Sequence, residues 1–127
     1  MDVTVQDVST AAIIAYAYKQ PKDDIQVWEQ VVLDHNTIWP MMSNGRSAMN
    51  RKGYGLFTGD EMIGYAVVDE ANDVLDLMHI TAAARGKGLS KSFLGQLYIK
   101  HTCVDENNLV AINLYTQLGY EIELIKD

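Results

Sequence analysis

Arg85-Gly86-Lys87-Gly88-Leu89-Ser90 is the stretch on which the reading of this chain turns. It follows an apolar run, Val74 to Ile80, and opens a helical pattern of Leu89, Phe93, Leu94 and Leu97. The first N–H groups of a helix have no partner inside it, and the helix dipole leaves partial positive charge there. A glycine-rich turn at that point suits a phosphate. Gly86 and Gly88 carry no Cβ, so a diphosphate could approach the backbone closely. Arg85, Lys87 and Lys91 add positive charge to a chain whose formal net charge is -7. A phosphorylated ligand is the expectation.

Outward from this loop, the periodicity changes twice. On the N-terminal side, Tyr54 to Phe57, Met62 to Val68 and Val74 to Ile80 read as three strands, with turns at Gly59-Asp60 and Glu70 to Asp73. Short turns of this kind join antiparallel neighbours. Further upstream, Val3 and Val5 alternate with polar residues and suggest a first strand. Asp7 or Ser9 could cap a helix over roughly 10–19, which Pro21 ends. Asp23 or Asp24 starts a second helix carrying Ile25, Trp28, Val32 and His35. Residues 37–51 read as irregular, and their Trp39, Met41 and Met42 either line a pocket or pack. On the C-terminal side the helix runs to about Ile99, and His101 to Val104 forms a short strand. Asn107 or Asn108 caps another helix, Gly119 ends it as a left-handed residue, and Tyr120 to Ile125 forms the last strand. The whole, 1–127, reads as a single domain of α/β or α+β class, with a central, mostly antiparallel mixed sheet flanked by helices.

Composition bounds the function. A chain of 127 residues needs no covalent staple to hold a core, and its one cysteine, Cys103, can form no internal disulfide. That suits a reducing, cytoplasmic setting. No apolar run approaches the ~20 residues that span a bilayer, and the N-terminus lacks the regions of a signal peptide. Net acidity repels nucleic-acid backbones and is compatible with a cationic amine, or it serves only solubility. His35, His79 and His101 have no metal-ligand spacing, so no metal is expected.

Three folds bind phosphates through glycine loops. A Walker loop is excluded because no Gly-Lys-Ser/Thr follows Gly86-Lys87-Gly88. A dinucleotide fold would place its glycines after the first strand of a βαβ unit, whereas this turn follows a meander. The third option binds coenzyme A. Arg85 to Ser90 resembles the diphosphate loop of the GNAT superfamily of N-acetyltransferases. Asn108, Ala111, Tyr115 and Gly119-Tyr120 resemble that family's second signature, in the family's order. The likeness extends over most of the chain. The link from the loop helix to the next strand is shorter than the family's, so either that helix is truncated or the fifth strand is reduced.

The resemblance implies an acetyl-CoA-dependent N-acetyltransferase acting on a primary amine, with acetyl-CoA as co-substrate and no metal. It also implies a homodimer in many members. A non-catalytic binding or structural module of the same fold is the alternative. By family position the thioester arm lies beside Met78, His79 and Ile80, with an amide near Met78 at the developing oxyanion. Backbone N–H groups of Gly86, Lys87, Gly88, Leu89, Ser90 and Lys91 receive the diphosphate. The side chains of Lys87 and Lys91 either add charge to it or form a solvated face. Asn108 caps its helix and touches the arm. Tyr115 is the acid for the departing thiolate, or a core residue. Asp76 stands two residues before Met78, on the same face by strand alternation, and is either the general base or a solvated carboxylate.

Overall fold

The run Met62 to Val68 is apolar at nearly every position, a pattern that needs cover on both faces of a sheet. The computed structural model of the chain describes residues 2–23 and 51–126. Its elements are β1 (Thr4–Val8), α1 (Thr10–Tyr18), β2 (Arg51–Thr58), β3 (Glu61–Asp69), β4 (Val74–Ile80), a 3-10 turn (Ala82–Ala84), α2 (Leu89–Gly95), β5 (His101–Asp105), α3 (Leu109–Gln117) and β6 (Glu121–Ile125). The expected helix from Asp23 or Asp24 through His35, and the stretch with Trp39, Met41 and Met42, lie outside the described residues.

The strands form one six-stranded sheet in chain order. β1 to β4 are antiparallel neighbours, whereas β5 joins β4 and β6 joins β5 in parallel. β3 is buried from Ile63 to Asp69 because both of its faces are covered. On one face α1 sets Ile13, Tyr16 and Ala17 against Tyr65 and Val67. On the other, Phe93 and Leu94 of α2 and Tyr115 of α3 pack with Leu56, Ile63, Ala66, Val68, Leu75 and Ile80.

Local chemistry sets the element ends. Of the two candidate caps for α1, Ser9 does the work, its hydroxyl accepting from the Ala12 amide at 3.2 Å. Asn108 caps α3 in the same way through the Ala111 amide. Gly119, at φ 80°, closes α3 with two reversed bonds: its own N–H donates to Thr116 O and that of Tyr120 to Tyr115 O.

Two elements differ in length from the sequence reading. β2 begins at Arg51 rather than Tyr54 because Arg51 and Lys52 pair with Asp69 and Val68 of β3, and from Gly53 the strand is paired on both sides, which outweighs the poor strand propensity of Gly53 and Gly55. Gly55 is needed there: a Cβ would lie 2.7 Å from the Phe57 ring and 2.8 Å from Val8. α2 stops at Gly95 rather than near Ile99. Lys100 and His101 both donate to the Asp73 carbonyl, so the chain must already have returned to the start of β4 by residue 100. The helix is thus truncated to seven residues, as the short link requires.

Gly64 marks a close approach of β3 to β4. A Cβ there would sit 2.9 Å from the His79 carbonyl oxygen and 2.7 Å from Ile80 Cδ1. Gly64→Ala is expected to cost about 1–3 kcal/mol by forcing the two strands apart. A urea titration checks this, and an unchanged midpoint would contradict the packing described.

Candidate functional site

β4 and β5 share only two residue pairs, Val74 with His101 and Leu75 with Thr102, and then diverge. Two features lie at the parting. The buried Thr102 hydroxyl donates to the Leu75 carbonyl at 3.1 Å and clamps the apex. One residue further on, β3 pairs Val68 with Leu75 but Val67 with Leu77, so Asp76 is a bulge. A bulge adds local twist to its strand, and this one turns β4 away from β5 where the pairing ends.

The bulge breaks the alternation between Leu75 and Leu77. Leu75 and Ile80 join the core cluster on the α2 and α3 side, with Met78 packed against it, while Leu77 packs on the α1 side. Asp76 is exposed. It still borders the same cavity as Met78, a recess of about 210 Å³ between the diverging strands that also touches Cys103, Asn108 and Tyr115. The Asp76 carboxylate acts on Cys103, whose thiol is pushed up first by burial, then by Glu123, then by Asp76. Such a thiol is held protonated and is poorly suited to act as a nucleophile.

A larger cleft of about 480 Å³ opens beside it, on the α2 and α3 side. Its walls bring together most of the residues singled out from sequence: Met78, His79, Ile80, Arg85, Gly86, Gly88, Leu89, Ser90, Lys91, Asn108 and Tyr115. Lys87 is exposed and does not line it. Gly86 and Gly88 take φ 78° and 73°, and an added Cβ at either would meet no protein atom within 4 Å. The loop therefore presents bare backbone, a conformation whose successive amides form an anion cradle. With only seven residues in α2, this cradle rather than a long dipole is the feature that suits an anion.

Tyr115 borders both cavities. It is 8% exposed and stacks on Tyr120 with ring centroids 5.8 Å apart. Burial raises its phenol above the ordinary value. No described residue hydrogen-bonds its hydroxyl, and an unsatisfied buried donor is costly enough to be uncommon.

Two side chains are placed differently from expectation. Arg85 folds back on β4 as a fork: Nε donates to the Ile80 carbonyl at 2.9 Å, and one terminal nitrogen donates to His79 Nε2 at 3.0 Å. His79, expected beside the thioester arm, buries its ring on the α1 face, with Nδ1 2.7 Å from the Tyr16 hydroxyl. The sequence reading did not single out Ala84, Val110, Ala111, Leu114 or Gln117 as wall residues. Their signal was present in the helical spacing Val110, Leu114, Gln117, continuing the face of Ala111 and Tyr115; Val110, apolar and 83% exposed, stands in the cleft wall.

Among the described residues no group of three or more His, Cys, Asp or Glu could hold a metal ion, and no helix is long and apolar enough to cross a membrane. No protein-family model matches the sequence, and no curated protein matches it. Solved structures do. A transcriptional regulator from Bacillus halodurans C-125 superposes with TM-score 0.68 at 14% identity, over 94% of this chain and 93% of that one. The PaiA N-acetyltransferase from Thermoplasma acidophilum, in complex with coenzyme A, gives 0.61 at 14%, over 93% and 89%. An acetyltransferase of the GNAT family from Streptococcus pneumoniae gives 0.58 at 12%, over 93% and 84%. The chain has the GNAT acyl-CoA N-acyltransferase fold.

Two tyrosines of the sheet's helix-covered side, Tyr54 and Tyr120, carry a pH signature. Burial, then Tyr115, pushes Tyr120 up to about 12, and burial, then the Glu70 carboxylate, does the same to Tyr54. A phenol raised in the folded state contributes stability that is complete below its ordinary value of 10.0 and is lost as pH rises towards 12. Urea midpoints are expected to fall across that window and to fall less in Tyr120→Phe. A flat profile in the wild-type protein would contradict the burial described.

Proposed function

We propose that the chain is an N-acetyltransferase that carries the acetyl group of acetyl-CoA to a primary amine, of a small molecule or a protein, by direct attack. One observation carries this reading: the gap between β4 and β5 has a bare glycine cradle near one end and, in its wall, a buried tyrosine hydroxyl with no hydrogen-bond partner among the described residues. A diphosphate carrier with a long thioester arm matches both ends. The fold likeness, and the coenzyme A bound in the Thermoplasma structure, support the same ligand.

In this reading the amides from Gly86 to Lys91 hold the diphosphate, with Lys91 adding charge. The arm lies along Met78, His79 and Ile80, where β4 has left its partner strand, and pairs with its backbone as an added strand would. An amide near Met78 faces the thioester oxygen. Asn108, beside both cavities, touches the arm while capping α3. The amine arrives from the recess that Asp76 borders. Asp76 takes its proton, directly or through a water, and the amine nitrogen attacks the thioester carbon. The carbon–sulfur bond breaks, and Tyr115, kept protonated by burial, gives its proton to the thiolate.

Acetyl-CoA is expected to raise the melting temperature of the wild-type protein, while free adenine nucleotide does much less. Gly88→Glu should abolish that rise through repulsion at the cradle, with the fold retained by circular dichroism. Tyr115→Phe should lower kcat for thiol release by about a hundredfold with little change in KM for acetyl-CoA. A melting temperature indifferent to acetyl-CoA would sink the coenzyme assignment. A rise in melting temperature without transfer to any of a panel of amines would favour the non-catalytic module.

A further inference from the structure

We propose that Tyr120 is a positioning residue: the stop of α3 lays its ring on Tyr115 and so aims the proton donor at the gap between β4 and β5. This rests on the reading of Tyr115 as the acid, and deepens it. Tyr115 needs such a holder. Its hydroxyl has no hydrogen-bond partner among the described residues, so no polar contact there fixes where the phenol points. Its orientation is therefore set by what the ring packs on. That matters because Tyr115 borders both the cleft and the recess, where the thioester and the amine meet in the reading above. Misplacing a catalytic group by about 1 Å costs up to about a hundredfold in rate, and a tyrosine that changes its χ1 rotamer moves its hydroxyl much further than that.

On a continuous helix the side chains that meet are three or four residues apart, not five. Tyr115 and Tyr120 meet because the helix ends between them. Gly119, at φ 80°, reverses the chain: its N–H donates to the Thr116 carbonyl and that of Tyr120 to the Tyr115 carbonyl, both at 3.1 Å. In a helix stop of this kind the residue after the glycine commonly packs on the one five before it. Here that contact is a stack of two phenol rings, 5.8 Å between centroids and 14° between planes, within the range of favourable offset stacking. The same two residues are thus joined twice, by backbone and by ring. Tyr120 is also anchored from the sheet, because β6 begins directly after it and Glu121 donates to the Lys100 carbonyl at 2.8 Å. The Tyr120 hydroxyl donates to the Leu94 carbonyl of α2 at 3.5 Å, a length at which a hydrogen bond contributes little. The flat ring, not the hydroxyl, is the part that aims Tyr115.

Rotamer measurements and kinetics together test this. In the ligand-free protein, three-bond NMR couplings across Cα–Cβ should report one χ1 rotamer for Tyr115 in the wild type and in Tyr120→Phe. In Tyr120→Leu, which keeps apolar cover on the helix stop but no flat face, they should report an average of rotamers. Tyr120→Leu, and Tyr120→Met as a second apolar replacement, should each lower kcat for thiol release about tenfold. The KM for acetyl-CoA, and the rise in melting temperature that it causes, should not change in either. Tyr120→Phe should keep the wild-type kcat. In a Tyr115→Phe background, Tyr120→Leu should cost nothing further, because no proton is left to aim. A single rotamer in Tyr120→Leu, an unchanged kcat in that variant, an equal loss in Tyr120→Phe, or multiplying losses in the double variant would overturn the proposal while leaving Tyr115 as the acid. A Tyr115→Phe variant with wild-type kcat would instead remove the acid assignment, and the aiming role would fall with it even where Tyr120→Leu frees the ring. The same holds for a protein that binds acetyl-CoA and transfers to no amine of the panel.

Discussion

The site depends on β4 leaving β5 after two residue pairs. A parallel pair that continued would close the sheet and leave no room between these strands. The Asp76 bulge supplies the turn of the strand, and Thr102 holds the parting at Leu75 so that it does not unzip further. Everything placed at the gap is referred to that apex. β4 delivers Met78 and Ile80 to one wall, and α3 delivers Asn108, Ala111 and Tyr115 to the other. The short return from α2, fixed by the bonds to Asp73, sets the start of β5 beside β4.

β4 also serves two environments at once. The rim of the helix-covered core holds Met78, while the α1 face holds Leu77 and the buried His79. Because Arg85 reaches His79 from the loop, the glycine cradle is joined through β4 to α1 on the opposite face. A loop held in this way loses little freedom when it meets an anion, and preorganisation of that kind favours affinity.

What could be read from sequence was what is local. Ser9 and Asn108 as caps, Gly119 as a left-handed stop, and the glycines at positive φ each follow from a residue and its near neighbours. The antiparallel run of β2, β3 and β4 followed from short turns. The bulge was not legible, because Asp76 sits in an apolar run that reads as unbroken alternation and only the pairing with β3 exposes the extra residue. The fork of Arg85 was not legible either. It needs His79 across the turn and Tyr16 at a sequence separation of 63, and a basic residue in a phosphate loop reads as a phosphate contact. The length of α2 failed for a tertiary reason: apolar spacing through Ile99 persists after the backbone has turned off towards β5.

At the far margin of the sheet, β6 carries Glu121 and Glu123, which meet His101 and Cys103 of β5 on one face. An antiparallel twin laid along this strand and centred on Glu123 would set carboxylate against carboxylate, and like charges directly opposite oppose such a match. The margin is thus guarded against growing by addition of its own kind, even though Leu124 and Ile125 stand 44% and 51% exposed beside those acids.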